Sequence, residues 1–326
     1  MSEKQKRKLV SLVIPAFREA EVIEDFYKSL KPILSGLTYD YEIIFVDDGS
    51  PDDTGDIIRK LATKDSKIRL LSLSRNFGKE IATTAGINNA SGAAIITLDA
   101  DGQHPAELIP EFISHWEAGY SVVVGVRSAN QKEGLIKKYG SLLFYRIFNK
   151  TTKLQLVPGS TDFRLIDRSV QQEFAKMTER NRITRGLIDW LGYERKLIYF
   201  TANPRMAGKP SYSVTSLIGL AVNSVISLSS SPLYIATYIG LIITPISLLL
   251  GLFMLIETII GDPLGLDISG SAYVVVLMLT LVGLLLVSQG VLGLYLSHIH
   301  SETQNRPLYV VNHRKSVRFT STDKST

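Results

Sequence analysis

Asp99 and Asp101 stand at i and i+2 directly after an apolar run ending at Leu98, with Gln103 two positions further on. Two carboxylates and an amide in an extended turn offer hard oxygen donors. Mg²⁺ or Mn²⁺ takes such donors and is commonly held through one or two carboxylates, with substrate phosphates completing its shell. The plainer alternative is a solvated strand-to-helix turn in which Asp99 or Asp101 caps the helix that opens after Pro105. Taken alone, the segment does not choose between them.

A second acidic turn shifts the balance. Glu42 to Val46 is another apolar run, and it ends in Asp47-Asp48-Gly49-Ser50-Pro51, while Pro15-Ala16-Phe17-Arg18-Glu19 follows the first such run, Leu9 to Ile14. Turns at the carboxyl ends of parallel strands open into one crevice, a convergence that helix capping does not explain. In that crevice Asp47 is placed to accept hydrogen bonds from a base or a ribose, and Asp48 to steady the Gly49 turn.

The elements that carry these turns follow from periodicity. Leu9–Ile14, Glu42–Val46, Ile68–Ser72, Ala94–Leu98 and Ser121–Gly125 read as buried strands bounded by Gly, Asp, Pro or Asn. Between them, Glu19–Leu34, Thr54–Lys64, Lys79–Asn89 and Pro105–Ala118 carry apolar residues at helical spacing. This βαβα succession predicts an α/β fold with a largely parallel, Rossmann-like sheet covered by helices.

Charge divides the chain. Its 326 residues have 36 Lys and Arg, 31 Asp and Glu, and a net charge of +5. Only ten of those charged residues lie beyond Lys209, and none falls between Lys209 and Glu257 or between Asp267 and Glu302. Leu233–Ile256 and Ala272–Ser297 each exceed the roughly 20 residues needed to cross a bilayer core, with Pro245 expected to kink the first. The connection Glu257–Ser271 carries acids and no Lys or Arg, whereas the tail after His298 is basic, so both termini are expected on the cytoplasmic side of the plasma membrane. Val214–Ser230 and Leu135–Lys150 read as helices lying in the interface. The expected organisation is a domain over 1–209, an interfacial helix within 210–232, two membrane helices over 233–297 and a tail over 298–326. Gly283, Gly290 and Gly293 suit close helix packing in a homo-oligomer.

Other classes are excluded. With no Cys there is no disulfide framework, thiolate metal site or Cys nucleophile. Basic residues are interspersed with acids rather than forming an aromatic-flanked patch, so nucleic acid is not an expected partner. Met1–Lys8 is polar and basic and the following apolar run is short, which argues against a signal peptide. His104 and His115 read as turn and surface histidines.

Five motifs carry a family resemblance: VIPAFREAEVI (13–23), VDDGSPDDT (46–54), SRNFGKEIATTAG (74–86), DADGQHP (99–105) and GSTDFRLIDR (159–168). In order and spacing the chain resembles glycosyltransferase family 2, more narrowly its polyprenyl-phosphate glycosyltransferases. These include dolichol-phosphate mannosyltransferases and bacterial undecaprenyl-phosphate glucosyltransferases of the GtrB type. The resemblance implies a GT-A fold and inverting, metal-dependent transfer of one sugar from a nucleotide sugar to a polyprenyl phosphate in the bilayer. By position it implies that Pro15, Phe17, Glu19 and Asp47 hold the nucleoside. Asp99, Asp101 and Gln103 would hold the metal and diphosphate, with the Ala100 backbone, and Arg127 would face the phosphates. Phe17 replaces a more common Tyr, keeping the ring and losing the hydroxyl.

Asp162 matches the acid usually proposed as the family's catalytic base. A phosphate monoester has a second pKa of about 6, so the acceptor needs little deprotonation. Orienting the acceptor is one alternative role, and pairing with Arg164 or Arg168 in a loop is another. Arg205 and Lys209 match the family's basic juxtamembrane loop, Arg205 as a bidentate phosphate ligand and Lys209 as a mobile charge. UDP-glucose or UDP-N-acetylglucosamine with undecaprenyl phosphate is the expected substrate pair. GDP-mannose transfer and a non-catalytic membrane adaptor are the alternatives. A processive synthase would need more spans and a Gln-x-x-Arg-Trp motif, which Arg185–Trp190 does not provide.

Overall fold

The computed structural model describes residues 8–128, 157–180, 182–203 and 270–319, with helical positions 249, 252, 256 and 259. Two compact units are present: 1–149 with 153–212 and 306–326, and 150–152 with 213–305.

The first unit is built on a seven-stranded mixed sheet. Its strands are β1 (Leu9–Ala16), β2 (Asp40–Asp47), β3 (Ile68–Ser72), β4 (Ala94–Thr97), β5 (Val122–Arg127), β6 (Ser160–Asp167) and β7 (Arg195–Phe200), in the order β3-β2-β1-β4-β6-β5-β7. β1 pairs in parallel with β2 and β4, and β2 with β3. β6 runs antiparallel to both β4 and β5. The parallel half matches the sequence expectation, and β6 is the departure from it. Reversing β6 brings its amino-terminal end beside the carboxyl end of β4, which is where Asp162 meets Asp99.

Alternation along the strands makes two cores. Val10, Leu12, Ile14 and Ala16 join Ile43, Phe45, Ile68, Leu70 and Ile96 on one face, against α1 (Ile23–Ser35), α2 (Thr54–Lys64) and α4 (Ile109–Glu117). Val13, Ile44, Val46, Leu71 and Ile95 face α3 (Lys79–Asn88), α5 (Arg168–Ala175) and α6 (Thr184–Trp190). Near-continuous apolar strands are what a sheet covered on both faces requires.

Two helix starts differ from the periodicity. α1 begins at Ile23 instead of Glu19, because Arg18 takes a positive φ of 60° and the Glu19 N–H is held by Thr54 Oγ1 at 2.9 Å. The segment after Pro105 opens as a 3₁₀ turn, Ala106–Leu108, and becomes α-helical only at Ile109, where Pro110 suits the first turn.

α7 (Gly270–Thr303) is a 34-residue helix in the second unit. Among the described residues no helix is long and apolar enough to cross a membrane, several positions inside α7 lying outside the described side chains. The expected first span, apart from helical positions 249, 252 and 256, and both expected interfacial helices lie outside the described residues.

α3 lies very close to the sheet. A Cβ on Gly86 would fall 2.2 Å from Val13 Cγ1 and 3.0 Å from Val46 Cγ2. Gly86→Ala is therefore expected to push α3 outward and cost about 1–3 kcal/mol, the usual range for overpacking. Denaturant unfolding of the purified full-length chain should show the lower midpoint, and an unchanged midpoint would mean that α3 has slack.

Candidate active site

The site gathers where β4, β6 and the start of α3 meet. Lys79 is the first residue of α3, a position where the helix dipole disfavours a cation. The offset comes from two carboxylates. Lys79 Nζ donates to Asp99 at 2.8 Å and to Asp162 at 2.9 Å. Asp99 and Asp162 keep 24% and 26% of their side chains open, and Lys79 42%. Both Asp99 oxygens lie 2.8 Å from Nζ, so with Asp162 Oδ2 three carboxylate oxygens face the three donors of the ammonium.

Burial works to raise the Asp162 carboxyl, but the Lys79 ammonium, with Arg185 and Arg164 behind it, holds it well below the usual carboxylate range. Burial likewise opposes the Lys79 charge, and the Asp162 and Asp99 charges more than reverse that effect, so Lys79 stays protonated. Glu80, next on α3, goes the other way, raised first by burial and then by the Asp162 charge. It accepts the Thr184 N–H at 2.8 Å and ties α3 to α6.

These contacts correct the loop-pairing alternative for Asp162. Arg164 is buried and bonds Asp189 at 2.8 Å, while Arg168 donates to the Ala90 carbonyl. Neither forms a hydrogen bond or salt bridge with Asp162, whose own carbonyl accepts from Thr97 Oγ1. The capping alternative is corrected too. Neither Asp99 nor Asp101 caps the segment after Pro105. Asp101 Oδ1 accepts the Gln103 N–H at 3.1 Å, closing the turn, and the Asp99 N–H is held by His104 Nδ1 at 3.1 Å. His104 is buried, and burial depresses its pKa, so a neutral ring fits that acceptor role.

Asp99, Asp101 and Gln103 offer oxygen donors of the kind a hard divalent cation takes. Among the described residues no cluster of three His, Cys, Asp or Glu side chains is poised around a metal position. The donor set fits a divalent cation only where a diphosphate or water completes its shell.

At the end of β2, Asp47 accepts the Ser50 N–H at 2.9 Å and the Ser72 hydroxyl at 3.0 Å. Asp48 does not serve the Gly49 turn as expected: it takes the backbone N–H groups of Phe77 and Gly78 at 2.7 and 2.8 Å, fixing the approach to Lys79. Gly49 has φ of 65° and passes so close to Arg75 that a Cβ would fall 2.4 Å from its carbonyl carbon. Pro15 lies within β1 opposite Val46. Phe17 is exposed beyond the end of β1, with Arg18 over its ring, and Glu19 follows on the same turn. Ala100 is buried between the two acids. Arg127 ends β5, exposed, with its N–H on the Gly159 carbonyl. Arg205 and Lys209 lie outside the described residues. Lys79, Glu80 and Arg185 escaped the sequence reading. The one available signal was a lysine at a helix start flanked by Gly78.

Comparison with known proteins defines the class. The model for Glycosyl transferase family 2 matches residues 11–174. The chain belongs to that family and is a glycosyltransferase. The bactoprenol glucosyl transferase of Shigella phage SfX is 38% identical over 307 residues, covering 94% of this chain and 99% of the relative. A prophage bactoprenol glucosyl transferase homolog of Escherichia coli K12 is 37% identical over 306 residues, covering 94% and 99%. Among solved structures, mannosyl-3-phosphoglycerate synthase from Rubrobacter xylanophilus aligns with a TM-score of 0.50 at 16% identity, over 68% of this chain and 72% of that one. That likeness is one of fold, the GT-A arrangement of a Rossmann-like mixed sheet.

Lys79→Met is expected to release Asp162 from its clamp and lower turnover by at least tenfold while leaving thermal unfolding within a few degrees, since a partly exposed ion pair adds little stability. Sugar transfer assayed beside a melting curve checks this. Full activity in the variant would remove Lys79 from the site.

Proposed function

We propose that the chain transfers a single sugar from a nucleotide sugar to a polyprenyl phosphate at the cytoplasmic face of the plasma membrane. Among donors UDP-glucose is favoured, with UDP-N-acetylglucosamine next. The observation that carries this reading is the meeting of Asp99, Lys79 and Asp162 at the carboxyl end of a doubly wound sheet, in a chain 37–38% identical to bactoprenol glucosyl transferases along nearly its whole length.

A membrane-held acceptor is supported by α7. Read from the sequence, with the α7 positions whose side chains are not described included, Ala272–Ser297 exceeds the roughly 20 apolar residues that cross a bilayer core. No Asp, Glu, Lys or Arg falls between Asp267 and Glu302. Val275, Met278, Val282, Leu285, Leu292 and Leu296 are exposed on it. A helix with this much exposed apolar surface needs a non-aqueous neighbour. With Leu233–Ile256 as a second span, both termini are cytoplasmic, and homo-oligomers through these helices fit the small residues of α7.

Asp99, Asp101 and Gln103 would hold Mg²⁺ or Mn²⁺, which when bound supplies positive charge to the departing nucleoside diphosphate. Asp47, with Pro15, Phe17 and Glu19 beside it, takes the nucleoside. Arg127 and Arg205 bind phosphate oxygens, and Lys209 adds a second cation in the juxtamembrane segment. The acceptor phosphate is mostly a dianion at neutral pH, so its oxygen attacks the anomeric carbon without prior proton transfer. The nucleoside diphosphate leaves from the opposite face, and configuration inverts. Asp162 is suited to hold Lys79 against that chemistry. A carboxylate kept far below neutral pH is a weak base, so positioning is the role its surroundings favour over general base.

Purified protein in detergent, given Mg²⁺ or Mn²⁺, undecaprenyl phosphate and labelled nucleotide sugars, should form a monoglycosyl lipid. Asp101→Ala should abolish it with the fold intact. No product from any donor would favour a membrane adaptor, and a growing polymer a synthase. Asp162→Asn is expected to cost turnover by about the same factor from pH 6 to pH 9. A defect that shrinks as the acceptor ionises would restore the general-base role.

A further inference from the structure

After α7 the chain returns to the sheet. β3 is an edge strand, with backbone groups open to pairing. The tail fills that edge. The Ser74 N–H donates to the Val310 carbonyl and the Asn312 N–H to Ser72, both at 2.8 Å, and Leu70 and Val317 exchange N–H···O bonds at 3.2 and 2.9 Å. Phe319 is buried in the core between sheet and α3, with the Arg69 guanidinium 4.0 Å from its ring centre. Between the two contact points the chain turns at Asn312–Lys315, with the Lys315 and Ser316 N–H groups on the Asn312 carbonyl. Arg59 Nη2 holds the Lys315 carbonyl at 3.2 Å.

That turn borders a cavity of ≈ 390 Å³ whose lining includes Asp47, Asp52, Asp56, Arg59, Arg314 and Lys315. The β3 edge is covered by the tail's backbone together with the Ser316 hydroxyl, which takes the Ser72 N–H, and Arg318, which donates to the Ile68 carbonyl. The Arg314 and Lys315 side chains are in no ion pair among the described residues, so edge cover does not account for them. The lining balances three carboxylates against three cations. A diphosphate would meet Asp47, Asp52 and Asp56 there, so a phosphate group is a poor occupant. A neutral group with donors and acceptors along one edge fits both signs, and a nucleoside is such a group at the carboxyl end of β2.

We propose that the turn Asn312–Lys315 forms one wall of the nucleoside subsite, with Arg314 and Lys315 donating to the base or ribose of the sugar donor. This rests on the transferase reading and extends the donor site to a segment more than 260 residues beyond Asp47. The wall is a specificity element: Asp47 accepts from the nucleoside, and the two cations meet its carbonyl or hydroxyl oxygens. Arg59 is a positioning residue, acting through the Lys315 carbonyl.

The test uses the purified full-length chain, with UDP and GDP as probes in calorimetry and with donor and acceptor kinetics. Arg314→Gln/Lys315→Gln is expected to weaken binding of the preferred nucleotide about tenfold and raise donor KM by a similar factor. Acceptor KM and turnover should stay within twofold. Arg59→Ala should show a smaller loss in the same parameter. Lys176→Ala, which removes a charge from an exposed pair with Glu173, should change nothing. Nucleotide binding in the double variant equal to that of the unaltered chain would overturn the inference and leave the transferase reading standing. A loss confined to acceptor KM would overturn it in favour of contact with lipid. If the unaltered chain binds neither nucleotide, the donor reading fails and the inference with it.

Discussion

One lysine holds two carboxylates that the sequence keeps far apart, and the architecture around it serves that meeting. Asp99 comes from the end of β4, Asp162 from the start of an antiparallel strand, and Lys79 from the first turn of a helix packed against the opposite core. Each arrival has its own cause. Asp48 fixes the backbone before Lys79, His104 fixes the Asp99 N–H, and Thr97 bonds the Asp162 carbonyl. Gly86 lets α3 lie low enough for Lys79 to reach.

Charge balance gives the crevice its chemistry. The Asp162 carboxyl pairs with the Lys79 ammonium, which is why the role proposed for it is positioning and not that of a base or nucleophile. That suits an acceptor that arrives already ionised. Asp99 is shared between the lysine and the segment Asp99–Gln103, so the acidic turn and the clamp form a single electrostatic unit. The acidic turn that first suggested a metal is half of that unit; in the other half Asp162 was legible in the sequence and Lys79 was not.

Legibility in the sequence followed locality. Ile68–Ser72 and Thr54–Lys64 show the same limits in periodicity and in structure, because apolar spacing and flanking turn residues decide them. Asp99, Asp101 and Gln103 were legible for the same reason, lying together in one short turn. β6 was hidden because Arg164 interrupts its apolar run, and only the long-range contact with Asp189 explains a buried arginine there. Lys79 was hidden because its partners lie 20 and 83 residues away. The tail on β3 was hidden by a separation of 244 residues between Ser72 and Ser316. Arg205 and Lys209, expected as phosphate ligands from the family resemblance, lie outside the described residues.

The central claim is a single displacement by a lipid phosphate at a crevice whose carboxylate near the reacting centre is tied to Lys79. The anomeric configuration of the purified sugar lipid, read by NMR from an α-linked nucleotide sugar, tests it most directly. A single displacement gives a β-linked product, with Asp162 held by Lys79 instead of forming a glycosyl intermediate. An α-linked product would contradict it, since retention requires a second displacement at that carbon.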